Sequence, residues 1–267
     1  MAAFDLACKL GSGAIELDVQ RSADGVLVAF HDATLERVAR GPAGACRGRV
    51  DDRTFPELRR CDVGSWFNEA RPQLARASYA RLRIPSLREV LQRYGRVTGL
   101  CLELKHPEHA PGIEEQVVAE LERGRLGADR VLVQSFSGPS LERVHELAPR
   151  LPLHRLFAPA SPPWLLRREL ELVAGYGAGI GLWRGDVDRE LIEAAHRHGL
   201  AVGVYTVNEP AELAALVSLG VDGIVTDFPD RLNRVLSGFV SESEQATTLR
   251  AWPRSRASGS RLVSAAA

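Results

Sequence analysis

The chain has 267 residues, long enough for one large domain with a buried core, and 34 basic side chains balance 34 acidic ones to a formal net charge of zero. That balance leaves no global field to argue for nucleic acid or an anionic membrane as partner, and no apolar run approaches the length of a membrane span. The four cysteines, Cys8, Cys46, Cys61 and Cys101, include no Cys-x-x-Cys pair, which argues against zinc. With no signal-peptide pattern at the start, reduced thiols in a cytoplasmic protein are the expectation.

A helix over Ala2–Leu10 opens the chain. Ala14–Val19 and Val26–Phe30 read as strands, and Asp24-Gly25 between them signals a hairpin. Residues 33–85 are irregular and rich in Arg, Gly and Pro. Pro85–Tyr94 is helical, with Ser86 as N-cap and Glu89 as its capping-box partner. Gly99–Leu104 is the next strand. From there helices alternate with strands: Ile113–Arg123, then Val131–Gln134; Ser140–Leu147, then Leu153–Phe157; Trp164–Tyr176, then Gly179–Leu182. The rhythm continues with Asp188–His198, then Ala201–Val207; Pro210–Leu219, then Gly223–Thr226; and a last helix at Pro229–Leu236. Strands alternating with helices over about 240 residues predict a (β/α)₈ barrel rather than a doubly wound sheet. The expected domain is 1–236 with an insertion at 33–85. The Ser/Ala/Arg-rich segment 237–267 lacks periodicity and reads as disordered.

A hairpin strand runs antiparallel to its predecessor, so Val26–Phe30 is not a barrel strand. Seven parallel strands remain where closure needs eight, and the chain begins inside a helix. The expectation is a barrel lacking its first strand.

Alternation along Ala14–Val19 puts Glu16 and Asp18 on one side and Ile15 and Leu17 on the other. Glu103 repeats the pattern at the end of Gly99–Leu104. Carboxylates at the C-terminal ends of barrel strands repel one another unless a cation takes them as oxygen ligands. A strand-end carboxylate taken singly is more often solvated or salt-bridged; three at two strand ends shift that balance. If Asp24 and Gly25 are the central turn residues, His31 returns opposite Asp18, where an imidazole suits acid–base work. Of the 34 basic residues only Lys9 and Lys105 are lysines. A lysine two residues after Glu103, on the same face, suggests a compact ammonium for a phosphate oxygen.

These residues resemble the glycerophosphodiester phosphodiesterases. The resemblance rests on Glu16-Leu17-Asp18-Val19, Asp24-Gly25, His31-Asp32-x-Thr34-Leu35-x-Arg37 and Ile84-Pro85-Ser86-Leu87-x-Glu89-Val90-Leu91. It continues through Leu102-Glu103-Leu104-Lys105, Gln134-Ser135-Phe136, Thr206-Val207-Asn208 and Gly220-Val221-Asp222-Gly223-Ile224-Val225-Thr226-Asp227-x-Pro229. It implies a TIM barrel with a small insertion after the His-Asp motif. It also implies Mg²⁺ or Ca²⁺ held by Glu16, Asp18 and Glu103, and hydrolysis of a glycerophosphodiester to glycerol 3-phosphate and an alcohol. His31 would be one of two acid–base histidines, and Lys105 would stabilise charge on the phosphate. Related alternatives are a lysophospholipase D or sphingomyelinase D-like enzyme acting on a lysophospholipid or other lipid, and an inactive barrel that binds a metal or phosphorylated ligand.

The family pattern also includes a leading strand ending in His-Arg-Gly, followed by Pro-Glu-Asn, which this chain does not show. A start codon placed late, or a true loss, would leave a weak catalyst with two unpaired barrel edges. Tyr205 stands where many relatives have Trp. His106 and His109 are expected to be plain loop residues, Trp66 and Phe67 to pack the insertion or line an alcohol pocket, and Trp183 to end a strand beside the site. His154, His196 and His198 read as structural or exposed, and Asn208 as a loop pin.

Overall fold

The computed structural model describes residues 1–42, 44–239 and 262–265. Helix α1 (Ala2–Lys9) leads into strand β1 (Ala14–Arg21), which turns back as β2 (Leu27–Ala29). An insertion carries the short helices α2 (Phe55–Leu58) and α3 (Ser65–Ala70) before α4 (Leu87–Tyr94). Then β3 (Gly99–Leu104), α5 (Ile113–Gly124), β4 (Val131–Ser135), α6 (Gly138–Leu147), β5 (Leu153–Leu156) and α7 (Pro163–Tyr176) follow. The rest is β6 (Gly179–Trp183), α8 (Arg189–Arg197), β7 (Ala201–Tyr205), α9 (Pro210–Leu219), β8 (Gly223–Thr226), α10 (Pro229–Phe239) and β9 (Leu262–Ala265). The alternating elements form where the apolar periodicity placed them, to within a few residues at the ends. The capping box at Ser86 is present: Glu89 N donates to Ser86 Oγ at 3.2 Å, and Ser86 N donates to Glu89 Oε2 at 2.7 Å.

Strands β1 and β3 to β9 pair in parallel, and β9 bonds to both β8 and β1, so eight parallel strands close into a ring. The barrel expectation holds; the missing position and the open edges do not. β9 fills the place between β8 and β1, and it comes from the segment 237–267 that the sequence marks as disordered. Its partner on β1 lies some 250 residues away, and a four-residue run of that kind carries no local signal. α10 also extends to Phe239; the remainder of that segment, 240–261 and 266–267, lies outside the described residues.

Side chains alternate between two environments. Ile15, Leu17, Val19, Leu100, Leu102 and Leu104 pack outward under α4 and α5, while Glu16, Asp18, Cys101 and Glu103 point into the barrel. A second apolar cluster joins β6, β7 and β8 to α7–α10. The interior beside β5–β8 is lined by small residues. At Gly179 a methyl group would sit 2.5 Å from the His154 ring, so glycine is what lets this histidine lie inside the barrel. A cavity of about 30 Å³ remains there, near the size of one water.

The hairpin register differs by one residue from the expected one. Val19 pairs with Ala29 and Gln20 with Val28, so Phe30, not His31, donates its N–H to Asp18 O. Gly25 adopts φ +84° in a loop closed by Ser22 and Val26, which is longer than the two-residue turn assumed from Asp24-Gly25.

The expectation of four reduced thiols is corrected. Cys46 and Cys61 form a disulfide with a Cα–Cα distance of 5.6 Å, inside a third apolar cluster built on Val28, Leu35, Val50, Leu58 and Ile84; Cys8 and Cys101 are free thiols. Irregular backbone gives no spacing rule from which that pairing could be read. It withdraws the argument for a reducing compartment that the thiols had supplied. Among the described residues, no helix is long and apolar enough to cross a membrane.

Two outcomes follow from this architecture. Reducing the Cys46–Cys61 bond should lower unfolding stability by about 3 kcal/mol for a ring of this size, read by urea denaturation with and without dithiothreitol. Burial lowers the His154 imidazole from 6.5 to about 4, so the unfolded chain takes up the proton first as pH falls. Stability should therefore drop between pH 6.5 and 4, by about 2 kcal/mol from pH 7.5 to 5, and a His154→Leu variant should lose that slope.

Candidate active site

The parallel register between β1 and β3 places Asp18 directly beside Glu103, with Glu16 one step below, next to Cys101. All three carboxylates are buried, and one oxygen from each lies within 4.8 Å of the others. Lys105 continues the β3 ladder by donating its N–H to Val19 O at 3.1 Å. Its ammonium then turns back onto the cluster, 3.1 Å from Asp18 Oδ1 and 2.6 Å from Glu103 Oε1.

The electrostatics follow from this crowding. Burial, and then the Asp18 and Glu103 carboxylates, push Glu16 well above the ordinary carboxylate range. Burial raises Glu103 to about 6 despite the neighbouring ammonium. Burial alone would lower Lys105, but Asp18 and Glu103 outweigh it and raise the ammonium above its usual range. Three carboxylates face one lysine, leaving an excess of two negative charges when all are ionised. Hard oxygen donors and excess negative charge together fit a divalent cation.

His31 stands at the edge of this cluster with its side chain 60% exposed. Its Nδ1 lies 2.7 Å from Asp32 Oδ1, and Arg37 grips Asp32 through Nε at 2.6 Å and a second nitrogen at 2.8 Å. The hydrogen bonds from Arg37, ahead of other causes, hold Asp32 below the usual range, so its carboxylate can only accept. Nδ1 is therefore the donor, which leaves Nε2 for a reacting partner. Arg37 stacks over Trp66 at 5.4 Å, joining this dyad to the insertion.

Two glutamines belong to the site and escape a reading that looks only for charge. Gln134, beside Glu103 in the β3–β4 register, donates to Glu16 Oε1 at 3.2 Å. Gln20 donates to Phe30 O at 2.6 Å and to Asp32 O at 2.9 Å, pinning the loop that carries His31. Their signal was present: both lie on the same alternation as the carboxylates. Asn208 accepts from Asp227 N and donates to Asp227 Oδ2, tying the β7 and β8 ends. Trp183 lies beside Tyr205 at the β6 end. His106 and His109 sit in the exposed loop after Lys105, where His109 lies 2.9 Å from an Arg49 nitrogen. Trp66 and Phe67 pack edge-to-face inside the insertion.

Because the folded site keeps the Glu103 proton up to about pH 6, against 4.5 for an ordinary glutamate, the cation-free protein should lose stability as pH rises through that window. Cation binding should strengthen over the same range. The check is the rise in Tm on adding Mg²⁺ or Ca²⁺: larger at pH 7 than at pH 5, and abolished by Glu103→Ala.

The comparisons with known proteins agree in kind. Residues 1–231 match the sequence pattern of the glycerophosphoryl diester phosphodiesterase family. A glycerophosphodiester phosphodiesterase from Bacillus subtilis (strain 168) is 35% identical over 241 residues, covering 88% of this chain and 80% of the relative. One from Caldanaerobacter subterraneus subsp. tengcongensis is 32% identical, covering 87% and 89%. Among solved structures, an Oleispira antarctica phosphodiesterase in complex with the product sn-glycerol-3-phosphate is similar with a TM-score of 0.74 and 26% identity, over 88% of this chain and 90% of that one. A glycerophosphodiester phosphodiesterase from Agrobacterium tumefaciens str. C58 gives a TM-score of 0.70 and 26% identity, over 87% and 91%.

Proposed function

This chain belongs to the glycerophosphoryl diester phosphodiesterase family, and we propose that it hydrolyses glycerophosphodiesters to glycerol 3-phosphate and an alcohol with a divalent cation held by Glu16, Asp18 and Glu103. The observation that carries the reading is the buried trio of carboxylates sharing one lysine at the C-terminal ends of β1 and β3. The bound cation supplies polarisation of the phosphoryl oxygens.

The protein's own groups divide the remaining work. Lys105, held charged by Asp18 and Glu103, offers its ammonium to a phosphate oxygen and to the charge that grows there as water adds to phosphorus. Gln134 fixes the orientation of Glu16. His31, oriented through Nδ1 by Asp32, presents Nε2 to the leaving oxygen and gives it a proton as the P–O bond breaks. Among the described residues, His31 is the imidazole placed at the edge of the carboxylate cluster for this role.

Incubation of the purified chain with glycerophosphocholine and glycerophosphoglycerol should release glycerol 3-phosphate when Mg²⁺ or Ca²⁺ is added, and release none in EDTA. His31→Ala should lower kcat by about a hundredfold or more. Absence of product from both diesters would refute the reading, and faster turnover of lysophosphatidylcholine than of either would move it to a lysophospholipase D.

A further inference from the structure

The mouth of the barrel has two unlike halves. The β1 and β3 ends present Glu16, Asp18, Glu103 and Lys105. The β4 and β7 ends present aromatic rings. Phe136 follows β4, two residues after the inward-facing Gln134, and is 39% exposed. Tyr205 ends β7 on the same face as Gly203, which lines the interior cavity. The two rings meet edge-to-face at 6.1 Å although β5 and β6 separate their strands. Rings from those two strands reach each other only by projecting over the mouth.

This wall is braced. Ser135, fully buried, donates through Oγ to Leu104 O at 2.9 Å, and an Arg155 nitrogen donates to Phe136 O. The Tyr205 hydroxyl donates inward to Phe157 O. The wall therefore offers faces and edges, and its one hydroxyl has its proton engaged. At the neighbouring strand ends, the rings of Phe157 and Trp183 each carry an arginine guanidinium, Arg155 at 5.2 Å and Arg184 at 5.9 Å. Among the described residues Phe136 and Tyr205 carry none.

We infer that Phe136 and Tyr205 form the subsite for the alcohol half of the diester, and that this subsite selects an alcohol bearing a quaternary or protonated amine over a polyhydroxy alcohol. The inference rests on the phosphodiesterase reading for its substrate, but the ring pair is a site in its own right. A cationic head over these faces gains cation–π attraction; a polyhydroxy head gives up several water contacts and recovers at most the Tyr205 oxygen as an acceptor.

The test compares kcat/KM for glycerophosphocholine and glycerophosphoglycerol in the wild type, Phe136→Leu, Tyr205→Leu and Tyr205→Phe. The wild type should prefer the choline ester. Each leucine variant should cut that preference about tenfold, mainly through KM, while Tyr205→Phe, which keeps the ring, should retain it. Equal losses on both substrates, or a wild type without preference, would overturn the subsite. Calorimetric titration with choline chloride separates the two readings. Saturable binding that weakens about tenfold in Phe136→Leu supports the subsite even if no diester turns over, and wild-type protein that does not bind choline refutes it whatever the turnover.

Discussion

Everything at the catalytic end of this barrel depends on the encounter of Lys105 with Asp18 and Glu103. Burying three carboxylates beside one another is costly, and the parallel register of β1 and β3 leaves them nowhere else to go. One ammonium offsets part of the repulsion and still leaves the cluster anionic. The same geometry fixes the carboxylates as a set of oxygen donors, since hydrophobic packing on the outer face of the same strands holds them in place.

The insertion takes part in this arrangement. It is tied to the barrel through a chain of contacts that begins at His31, passes to Asp32 and Arg37 and reaches the Trp66 ring. Gln20 anchors the near side of that chain, and the Cys46–Cys61 bond closes the far side of the subdomain. The exposed imidazole is thus oriented from two directions, which its position in a loop would not by itself provide.

Much of this was readable in the order of residues. Periodicities of 2 and 3.6 located the barrel strands and their helices, and the alternation that separated Glu16 and Asp18 from Ile15 and Leu17 located the carboxylates. The parts that were not readable share one cause: they depend on contacts between distant segments. β9 pairs with β1 across nearly the whole chain, Cys46 meets Cys61 within irregular backbone, and the hairpin slips one residue because Gly25 serves a longer turn than its dipeptide suggested. Gln20 and Gln134 are a different case. Their positions were legible, but an amide announces no chemistry until the acceptor it meets is known.

The scarcity of lysine has a practical side. With arginine at nearly every other cationic position, amine-directed chemistry on this chain has two side-chain targets, Lys9 and Lys105, together with the terminal amine. Lys105 is largely buried, and its carboxylate partners keep it protonated and hence poorly nucleophilic. Its labelling rate is a built-in gauge of the cluster's integrity, slow while the carboxylates grip the ammonium and fast once the strand ends part.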